Sequence, residues 1–249
     1  MLFSIITITY NAEKVLERTI LSVLNQTYLQ VEYIIVDGNS SDKTKEIIDR
    51  YASRLSFRIS EQDKGLYDAM NKGLRIATGD YVWFLNAGDT LHSKTTIEEV
   101  ARSLSLTANL PDIIYGETDL VGNDEKFIAT RRLKSPKALT WRSFSMGMMV
   151  CHQSFIVKRS IAPAYNLNYP LVADFDWCIR CLKQAKHILN THLILSNFLT
   201  EGLSSQKRKA SLKERFRIMS HYYGVLPTII RHAWFALRFY SAKLLGRQI

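Results

Sequence analysis

The sequence has few cysteines, and their number and spacing limit what the chain can be. Its three cysteines, Cys151, Cys178 and Cys181, are an odd number in a chain of 249 residues, and no basic leader opens the sequence. Neither secretion nor a disulfide framework is indicated, so a cytoplasmic location is predicted. Cys178 and Cys181 form a CxxC pair without a second pair to complete a zinc site, and the same spacing suits two neighbours on one helix face.

A long hydrophobic run and a flexible linker are also missing. The longest stretch without Asp, Glu, Lys or Arg covers residues 143–157, which is 15 residues. A spanning helix needs about 20 apolar residues, so no transmembrane helix is predicted. No segment rich in Pro, Gly or Ser separates two folding units. We predict one domain over residues 1–206 and a helical tail over residues 207–249.

Positive charge is concentrated in that tail. The formal net charge is +10, and residues 207–249 carry ten lysines and arginines against one acid, Glu214. Large apolar and aromatic residues are interleaved with this charge, which phosphate binding alone does not require. The pattern favours a cationic amphipathic helix on an anionic membrane surface, and nucleic acid is not the predicted partner. Packing of the tail on its own domain or on a second subunit stays open.

Apolar runs alternate with helical patterns in the first part of the chain, and no Gly-rich dinucleotide motif or P-loop accompanies them. Continuous apolar strands between helices are typical of an α/β fold with a mainly parallel sheet. The pattern loosens after residue 100, where an α+β arrangement is expected, and Thr95 with the glutamates after it resembles a capping box. The predicted strands are 3–9, 31–36, 57–60, 81–85, 113–115, 127–133 and 154–157, and the predicted helices are 13–25, 43–53, 67–77 and 175–186.

Two aspartates end predicted core strands, and ligands of such sheets bind at the carboxyl ends of the strands. Asp37 follows the second strand and Asp89 follows the fourth. Carboxylates there can accept hydrogen bonds from a ribose or hold a divalent cation on a diphosphate. The alternative is that both residues only form turns.

Four blocks of sequence carry a family resemblance. These blocks are residues 5–11, 19–27, 34–44 and 77–89. In order along the chain, they resemble the successive motifs of family 2 inverting glycosyltransferases, which have the GT-A fold. A weaker match continues through residues 151–153 and 173–180, and residues 63–73 resemble the subgroup that builds bacterial exopolysaccharides of the colanic-acid type.

The resemblance implies roles for individual residues. Asp174 falls where the family places its catalytic base, with Asp176 as the fallback, and Asp89 is expected to hold Mn²⁺ or Mg²⁺ on the donor diphosphate. Asn71 and Asn86 lie in matched motifs and are also assigned to the nucleotide sugar. The nucleotide pocket is expected to be lined by Thr9, Tyr10, Asn11 and Asp37.

Three further residues are candidates with a structural alternative. Lys64 can pair with phosphate or simply be solvated. His152, followed by Gln153, can contact the acceptor or form a satisfied polar pair. Trp177 can stack on a sugar of the acceptor or pack in the core.

The chain departs from the family at two motifs. The acidic cluster of the metal site is reduced to Asn86-Ala87-Gly88-Asp89, and Met70 stands where an arginine often contacts the nucleotide. The resemblance therefore implies a metal-dependent transferase that moves one sugar with inversion from a nucleotide-diphosphate donor, a UDP-sugar being favoured. The expected acceptor is a glycan or a polyprenyl-diphosphate-linked sugar at the inner face of the cell membrane. A non-catalytic relative that binds nucleotides or glycans is the alternative, and a nucleotidyltransferase is disfavoured because no Gly-rich basic loop follows the first strand.

Overall fold

The computed structural model describes residues 1–200 and 208–244. The strands are β1 (Phe3–Thr9), β2 (Val31–Asp37), β3 (Phe57–Ser60), β4 (Tyr81–Phe84), β5 (Thr90–Leu91), β6 (Ile113–Val121), β7 (Phe127–Thr130), β8 (Phe155–Lys158) and β9 (Ile188–Leu199). The α-helices are α1 (Leu16–Leu24), α2 (Thr44–Arg50), α3 (Leu66–Ile76), α4 (Thr96–Ser105), α5 (Ala173–Gln184), α6 (Arg208–Tyr223) and α7 (Val225–Leu244). Short 3-10 helices cover Ala52–Arg54, Trp141–Met146, His152–Ser154 and Arg159–Ile161.

All strands belong to one mixed sheet in the order β3-β2-β1-β4-β8-β6-β9-β5, with β7 paired to β6. The strands β3, β2, β1 and β4 are parallel. The chain runs outward from β1 to β2 and β3 and then returns to β4 on the other side of β1, so the strand order reverses there. Ligands of α/β sheets bind at such a reversal, above the carboxyl ends of the strands.

The continuous apolar strands are explained by helices on both faces of the sheet. Alternate residues of β1 point to opposite sides, so that Ile6 and Ile8 pack with α3, α5 and α6 while Phe3 and Ile5 pack with α1, α2 and α4. Each face therefore has its own buried apolar layer. This arrangement confirms the predicted α/β GT-A fold.

The second half of the sheet departs from the sequence-based expectation. The strands β5 and β9 were not predicted, although β9 pairs with β6 from Ile188 to Leu199. Its sequence mixes polar with apolar residues and includes His192 at φ 57°, so no clear period-2 pattern marks it. Thr95 does precede α4, but its hydroxyl donates to the Glu99 carboxylate at 2.6 Å and the predicted capping box does not form.

The two C-terminal helices differ in how they pack. Ile218 and Met219 of α6 are fully buried in the core, which agrees with the alternative that the tail packs on its own domain. In contrast, α7 leaves large apolar side chains exposed, among them Ile230 and Trp234. The predicted boundary between residues 206 and 207 lies outside the described residues. No helix in the described part of the chain is long and apolar enough to cross a bilayer.

Candidate functional site

The loops that follow β1 and β2 are tied together by hydrogen bonds. Asn11 has a left-handed backbone with φ 46°, and its N–H donates to the Ser40 hydroxyl at 2.8 Å. Its side-chain oxygen accepts from the N–H of Ser41 at 2.9 Å, and the N–H of Ala12 donates to the Thr44 hydroxyl at 2.8 Å. These bonds join the loops that follow the neighbouring strands β1 and β2. Both loops are therefore held in position above the carboxyl ends of these strands.

Asp37 ends β2, and its side chain accepts hydrogen bonds from Ser40 after β2 and from Ser60 at the end of β3. The side chain is fully buried, and one oxygen accepts from the N–H of Ser40 at 3.0 Å and from the Ser60 hydroxyl at 2.5 Å. The other oxygen accepts from the Ser40 hydroxyl. In this arrangement Asp37 holds the loops after β2 and β3 in position, and its predicted nucleotide contact stays a prediction.

The side chains of Tyr10 and Asp63 close over the backbone of Gly38. A side-chain Cβ at this position would lie 2.5 Å from Oδ2 of Asp63 and 3.3 Å from Cδ2 of Tyr10. Because Gly38 has no side chain, Tyr10 and Asp63 flank its backbone, and the Tyr10 ring is 64% exposed. Asp63 was not assigned a role from the sequence, where its exposed neighbour Lys64 was chosen instead.

The amide of Asn71 is used inside the protein. Its Nδ2 donates to the carbonyl of Tyr165 at 3.0 Å, and its Oδ1 accepts from the N–H of Tyr165 at 2.7 Å. Asn71 is buried, so it cross-links α3 to the segment before α5. A nucleotide contact through this amide, as predicted, would require both of these bonds to break.

Asp89 lies at the end of the loop after β4 and is buried. Its Oδ1 accepts from the N–H of Leu199 and its Oδ2 from Nε2 of Gln153, both at 2.9 Å. Burial raises the pKa of Asp89 to about 7, against the lowering effect of these two donors and of Arg18. Sequence reasoning did not identify Leu199, because it lies on the unpredicted strand β9.

The residues around Asp89 do not fit a cation site built by the protein alone. Both carboxylate oxygens accept hydrogen bonds, and the described residues contain no group of three or more His, Cys, Asp or Glu side chains that could hold a metal ion. Two other oxygens do lack partners. Thr9 Oγ1 and Asn86 Oδ1 are buried and accept or donate no hydrogen bond within residues 1–200 and 208–244. Thr9 ends β1, and Asn86 follows the adjacent strand β4. A ligand above these strands could form hydrogen bonds with both oxygens.

Asp174 and Asp176 have different surroundings although both lie in the first turn of α5. Asp174 is partly exposed, and its Oδ1 accepts from the Tyr67 hydroxyl at 2.9 Å. Asp176 is buried and paired, since it accepts from Arg180 Nε at 2.7 Å and from the Tyr222 hydroxyl at 2.8 Å. Of the two predicted bases, Asp174 is the more exposed, and both oxygens of Asp176 accept hydrogen bonds within the protein.

His152 and Trp177 belong to a buried aromatic cluster. His152 Nε2 is 2.7 Å from the Tyr165 hydroxyl, and its ring stacks on Phe84 with centroids 5.4 Å apart. Burial lowers the pKa of His152 to about 4. Trp177 is fully buried, stacks on Tyr165 at 4.9 Å and donates from Nε1 to the carbonyl of Pro163. Trp177 therefore packs in the core, and neither ring offers a free face to an acceptor sugar.

The helix α6 supplies contacts that sequence reasoning did not find. Oε2 of Glu214 accepts from the N–H groups of Leu171 and Val172 at 2.9 and 3.2 Å, directly before α5. The hydroxyl of Tyr222 reaches Asp176, so α6 holds α5 at two points. Glu214 is the single acidic residue of the basic tail. This exception in the charge pattern could have marked Glu214 as a residue with a specific partner.

Comparisons with known proteins agree with this geometry. The model of the family described as Glycosyl transferase family 2 matches residues 4–164. A PGL/p-HBAD biosynthesis glycosyltransferase of Mycobacterium bovis (strain BCG / Pasteur 1173P2) is 32% identical over 79% of this chain and 76% of its own length. An uncharacterized glycosyltransferase of Haemophilus influenzae is 30% identical over 85% of each chain.

Solved structures share the fold at low sequence identity. Residues 1–349 of Staphylococcus aureus TarS in complex with UDP superpose with a TM-score of 0.69 and 18% identity, over 88% of this chain and 64% of TarS 1–349. The present chain thus spans less than two thirds of that TarS chain. The mannosyltransferase PcManGT from Pyrobaculum calidifontis, in complex with GDP-Man and Mn²⁺, gives a TM-score of 0.60 at 16% identity, over 99% of this chain and 81% of its own. The chain belongs to glycosyl transferase family 2 and is a glycosyltransferase with the GT-A fold.

Proposed function

We propose that the protein transfers one sugar from a nucleotide-diphosphate donor to a hydroxyl group of a glycan acceptor, with inversion at the anomeric carbon. Two structural neighbours support a nucleotide-sugar donor, because TarS was solved with UDP and with UDP-GlcNAc and PcManGT with GDP-Man. A UDP-sugar is the favoured donor. The Tyr10 ring, which is 64% exposed after β1, is where the nucleotide base would be held.

The partly exposed carboxylate of Asp174 is the main support for this function. Its carboxylate is partly exposed and is oriented by the Tyr67 hydroxyl, whose own pKa is raised well above its usual value, mainly by burial and then by the charge of Asp174. Tyr67 therefore stays protonated and donates. A carboxylate oriented in this way can take the proton from an acceptor hydroxyl, a contribution of about 10² to 10⁴ in rate.

The reaction then needs one displacement. The acceptor oxygen attacks the anomeric carbon as its proton passes to Asp174, and the bond to the donor diphosphate breaks on the opposite side. Such in-line geometry inverts the configuration. The preorganised loops above β1 and β2 would hold the nucleotide and therefore set where the anomeric carbon lies.

Substitution of the two carboxylates tests the base assignment. Asp174→Asn should lower turnover, measured as released nucleoside diphosphate, by about 10² to 10⁴-fold while nucleotide binding is retained. Asp176→Asn is the matched control, because Asp176 is buried and paired with Arg180 and Tyr222. Its expected defect is mainly in stability. If Asp174→Asn keeps wild-type turnover, Asp174 is not the base.

A divalent cation on the donor diphosphate is the least supported part of the proposal. PcManGT was solved with Mn²⁺, and Asp89 is the carboxylate of the loop after β4, but both of its oxygens accept bonds within the protein. No step of the reaction is assigned to the cation. A thermal-shift screen of UDP, GDP, TDP and ADP with and without Mn²⁺ tests it, since a ligand of the native state raises Tm. If a nucleotide raises Tm by the same amount with and without Mn²⁺, the cation takes no part in nucleotide binding.

The exposed face of α7 supports a membrane-associated acceptor. Leu226, Ile230 and Trp234 recur at helical spacing and are 69%, 62% and 52% exposed. The basic tail complements anionic lipid, so we place the protein at the inner face of the bacterial cell membrane, acting on a polyprenyl-diphosphate-linked acceptor in surface polysaccharide synthesis. Trp234→Ser should weaken binding to vesicles that contain phosphatidylglycerol.

Leu212→Ser on α6 is the control for this experiment, because Leu212 is also exposed, at 46%, but lies on the helix that packs against the domain. Equal vesicle binding by wild type and Trp234→Ser would contradict the membrane assignment. The remaining alternative is a non-catalytic nucleotide- or glycan-binding relative. It would gain support if the wild-type protein bound nucleotides but released no nucleoside diphosphate with any donor.

A further inference from the structure

Arg215 is the arginine of α6 that approaches the proposed catalytic base. Its neighbour Glu214 anchors α6 by accepting two backbone N–H groups from the segment before α5. The guanidinium carbon of Arg215 lies 5.6 Å from the ring centroid of Phe175, the residue after Asp174. A residue from the C-terminal helix thus reaches the start of α5, where the base is located.

The guanidinium of Arg215 lacks an acceptor that a buried arginine normally has. Its Nε is buried and donates to no residue in the described ranges. Arg18, Arg180 and Arg231 also have one such nitrogen. Arg18 and Arg180 donate through Nε to Gly88 and Asp176 respectively, and Arg231 lies over the Tyr223 ring at 5.7 Å. A buried donor without a partner costs free energy unless a ligand supplies the acceptor.

A second cation lies near the same place. Burial lowers the pKa of Arg215, the charge of Asp174 opposes that effect, and the charge of Arg131 adds to it. Arg131 is held in position because its guanidinium donates to the backbone carbonyls of Leu133, Met148 and Met149. Asp174 and the anchoring Glu214 balance these two charges, so the unpartnered Nε of Arg215 is what favours a bound anion.

We propose that Arg215, supported by the charge of Arg131, binds a phosphate group of the acceptor substrate. This inference rests on the proposed function, because it takes Asp174 as the base. In an inverting displacement the donor diphosphate leaves on the side of the anomeric carbon opposite the base, so an arginine beside Asp174 lies on the acceptor side. In a single sugar linked to a prenyl diphosphate, every hydroxyl is separated from the phosphate by no more than the width of the sugar ring. An acceptor hydroxyl placed at Asp174 therefore brings that phosphate near Arg215.

Binding of soluble phosphate compounds to the full-length protein tests this assignment without turnover. The probes are inorganic pyrophosphate and geranyl diphosphate for the acceptor, and UDP for the donor, each measured by isothermal titration calorimetry. Arg215→Gln should weaken geranyl diphosphate and pyrophosphate binding by about 10- to 100-fold, as expected for one lost charge-assisted contact. UDP binding should change by less than a factor of about three, a difference below 1 kcal/mol.

Arg217→Gln is the matched control, because Arg217 is exposed on the same helix and the substitution removes the same charge. Its binding of all three probes should equal that of the wild type. If Arg217→Gln weakens geranyl diphosphate as much as Arg215→Gln does, the effect is a general one of charge and the site is wrong. Wild-type protein that binds neither pyrophosphate nor geranyl diphosphate also overturns the inference.

The donor is the other source of phosphate. If Arg215→Gln weakens UDP and leaves geranyl diphosphate unchanged, Arg215 contacts the donor and the acceptor assignment fails. Should Arg215→Gln not fold, Arg215→Lys keeps the charge but loses the planar donor pair, and it should show an intermediate loss of geranyl diphosphate binding. Failure of the proposed function would be seen separately, as unchanged turnover in Asp174→Asn.

Discussion

The two sides of the site are built in different ways. The side proposed to bind the donor, called the donor side, consists of the loops after β1, β2 and β4, which follow neighbouring parallel strands and bond to one another, as Asn11 does to Ser40 and Ser41. The side around the proposed base Asp174, called the base side, draws its contacts from α3, α5 and α6, with Tyr67 far before Asp174 in the chain and Glu214 far after it. The donor side thus depends on the local order of the sheet, whereas the base side depends on the docking of the C-terminal helix.

Gln153 and Tyr165 connect the two sides. Gln153 donates to Asp89 on the donor side, and the adjacent His152 is hydrogen-bonded to the Tyr165 hydroxyl. The Tyr165 ring stacks on Tyr67, which donates to Asp174. This series of packed groups joins the two sides through the interior of the protein.

The largest expected effect comes from removing the core anchor of α6. Ile218→Ala should lower the free energy of unfolding by about 2 to 5 kcal/mol, because a fully buried side chain leaves a cavity. Ile230→Ala on α7 is the matched control; Ile230 is 62% exposed, and the expected change is within about 0.5 kcal/mol. Urea denaturation measures both. Equal effects would mean that α6 is no more part of the domain than α7.

Buried titratable groups on the two sides should give opposite pH dependences of stability. The pKa of Asp89 is raised from 3.8 to about 7, so the native state retains a proton that the unfolded state loses and stability falls as pH rises from about 4 to 7. The pKa of His152 is lowered from 6.5 to about 4, so stability instead rises between about pH 4 and 6.5. At about 1.4 kcal/mol per pKa unit, the contributions are on the order of 4 and 3 kcal/mol.

Two variants separate the opposite pH dependences of stability that Asp89 and His152 cause. Asp89→Asn should leave only the His152 contribution, so that stability rises with pH over this window, and His152→Gln should leave only the fall due to Asp89. Urea titrations at pH 4.5, 5.5 and 6.5 provide the comparison. Parallel pH profiles for the two variants would show that the two groups do not titrate in opposite directions.

Glu214 is the link between α6 and the base side. Glu214→Ala removes the acceptor for the N–H groups of Leu171 and Val172 and should cost about 1 to 3 kcal/mol, with a lower kcat because Asp174 follows directly. Glu214→Gln keeps an amide oxygen and should recover most of both losses. If Glu214→Ala reduces stability but leaves kcat unchanged, α6 supports the fold without positioning the base.

The smallest expected effect is on the donor side, at Asn11. Asn11→Ala loses the bond to Ser41 and replaces a residue that tolerates the left-handed backbone at φ 46° with one that tolerates it less well, so it should cost about 1 to 2 kcal/mol. Asn11→Gly loses the same bond without the steric penalty and should cost less. Melting temperatures of the two variants give the difference. A more stable alanine variant would show that the left-handed backbone is not maintained.

The local pattern of the sequence predicted the strands of the parallel half of the sheet well. Strands β1 and β3 were predicted with the bounds they have, and Thr9, Tyr10, Asn11 and Asp37 do lie where β1 and β2 end. It could not show that the amide of Asn71 is used by Tyr165, that Trp177 is fully buried, or that Asp63 flanks Gly38. Those facts depend on partners far away in the chain.

The sequence by itself determined the family, the parallel half of the sheet and the segment that contains the proposed base, because apolar periodicity, turn residues and motif order are local properties. Only the tertiary structure distinguishes Asp174 from Asp176, since two carboxylates in one helical turn differ by what packs against them: Tyr67 on one, Arg180 and Tyr222 on the other. The same holds for the basic tail. Composition describes α6 and α7 alike, but burial of Ile218 and the bonds of Glu214 dock α6 onto the base side and leave the apolar face of α7 exposed.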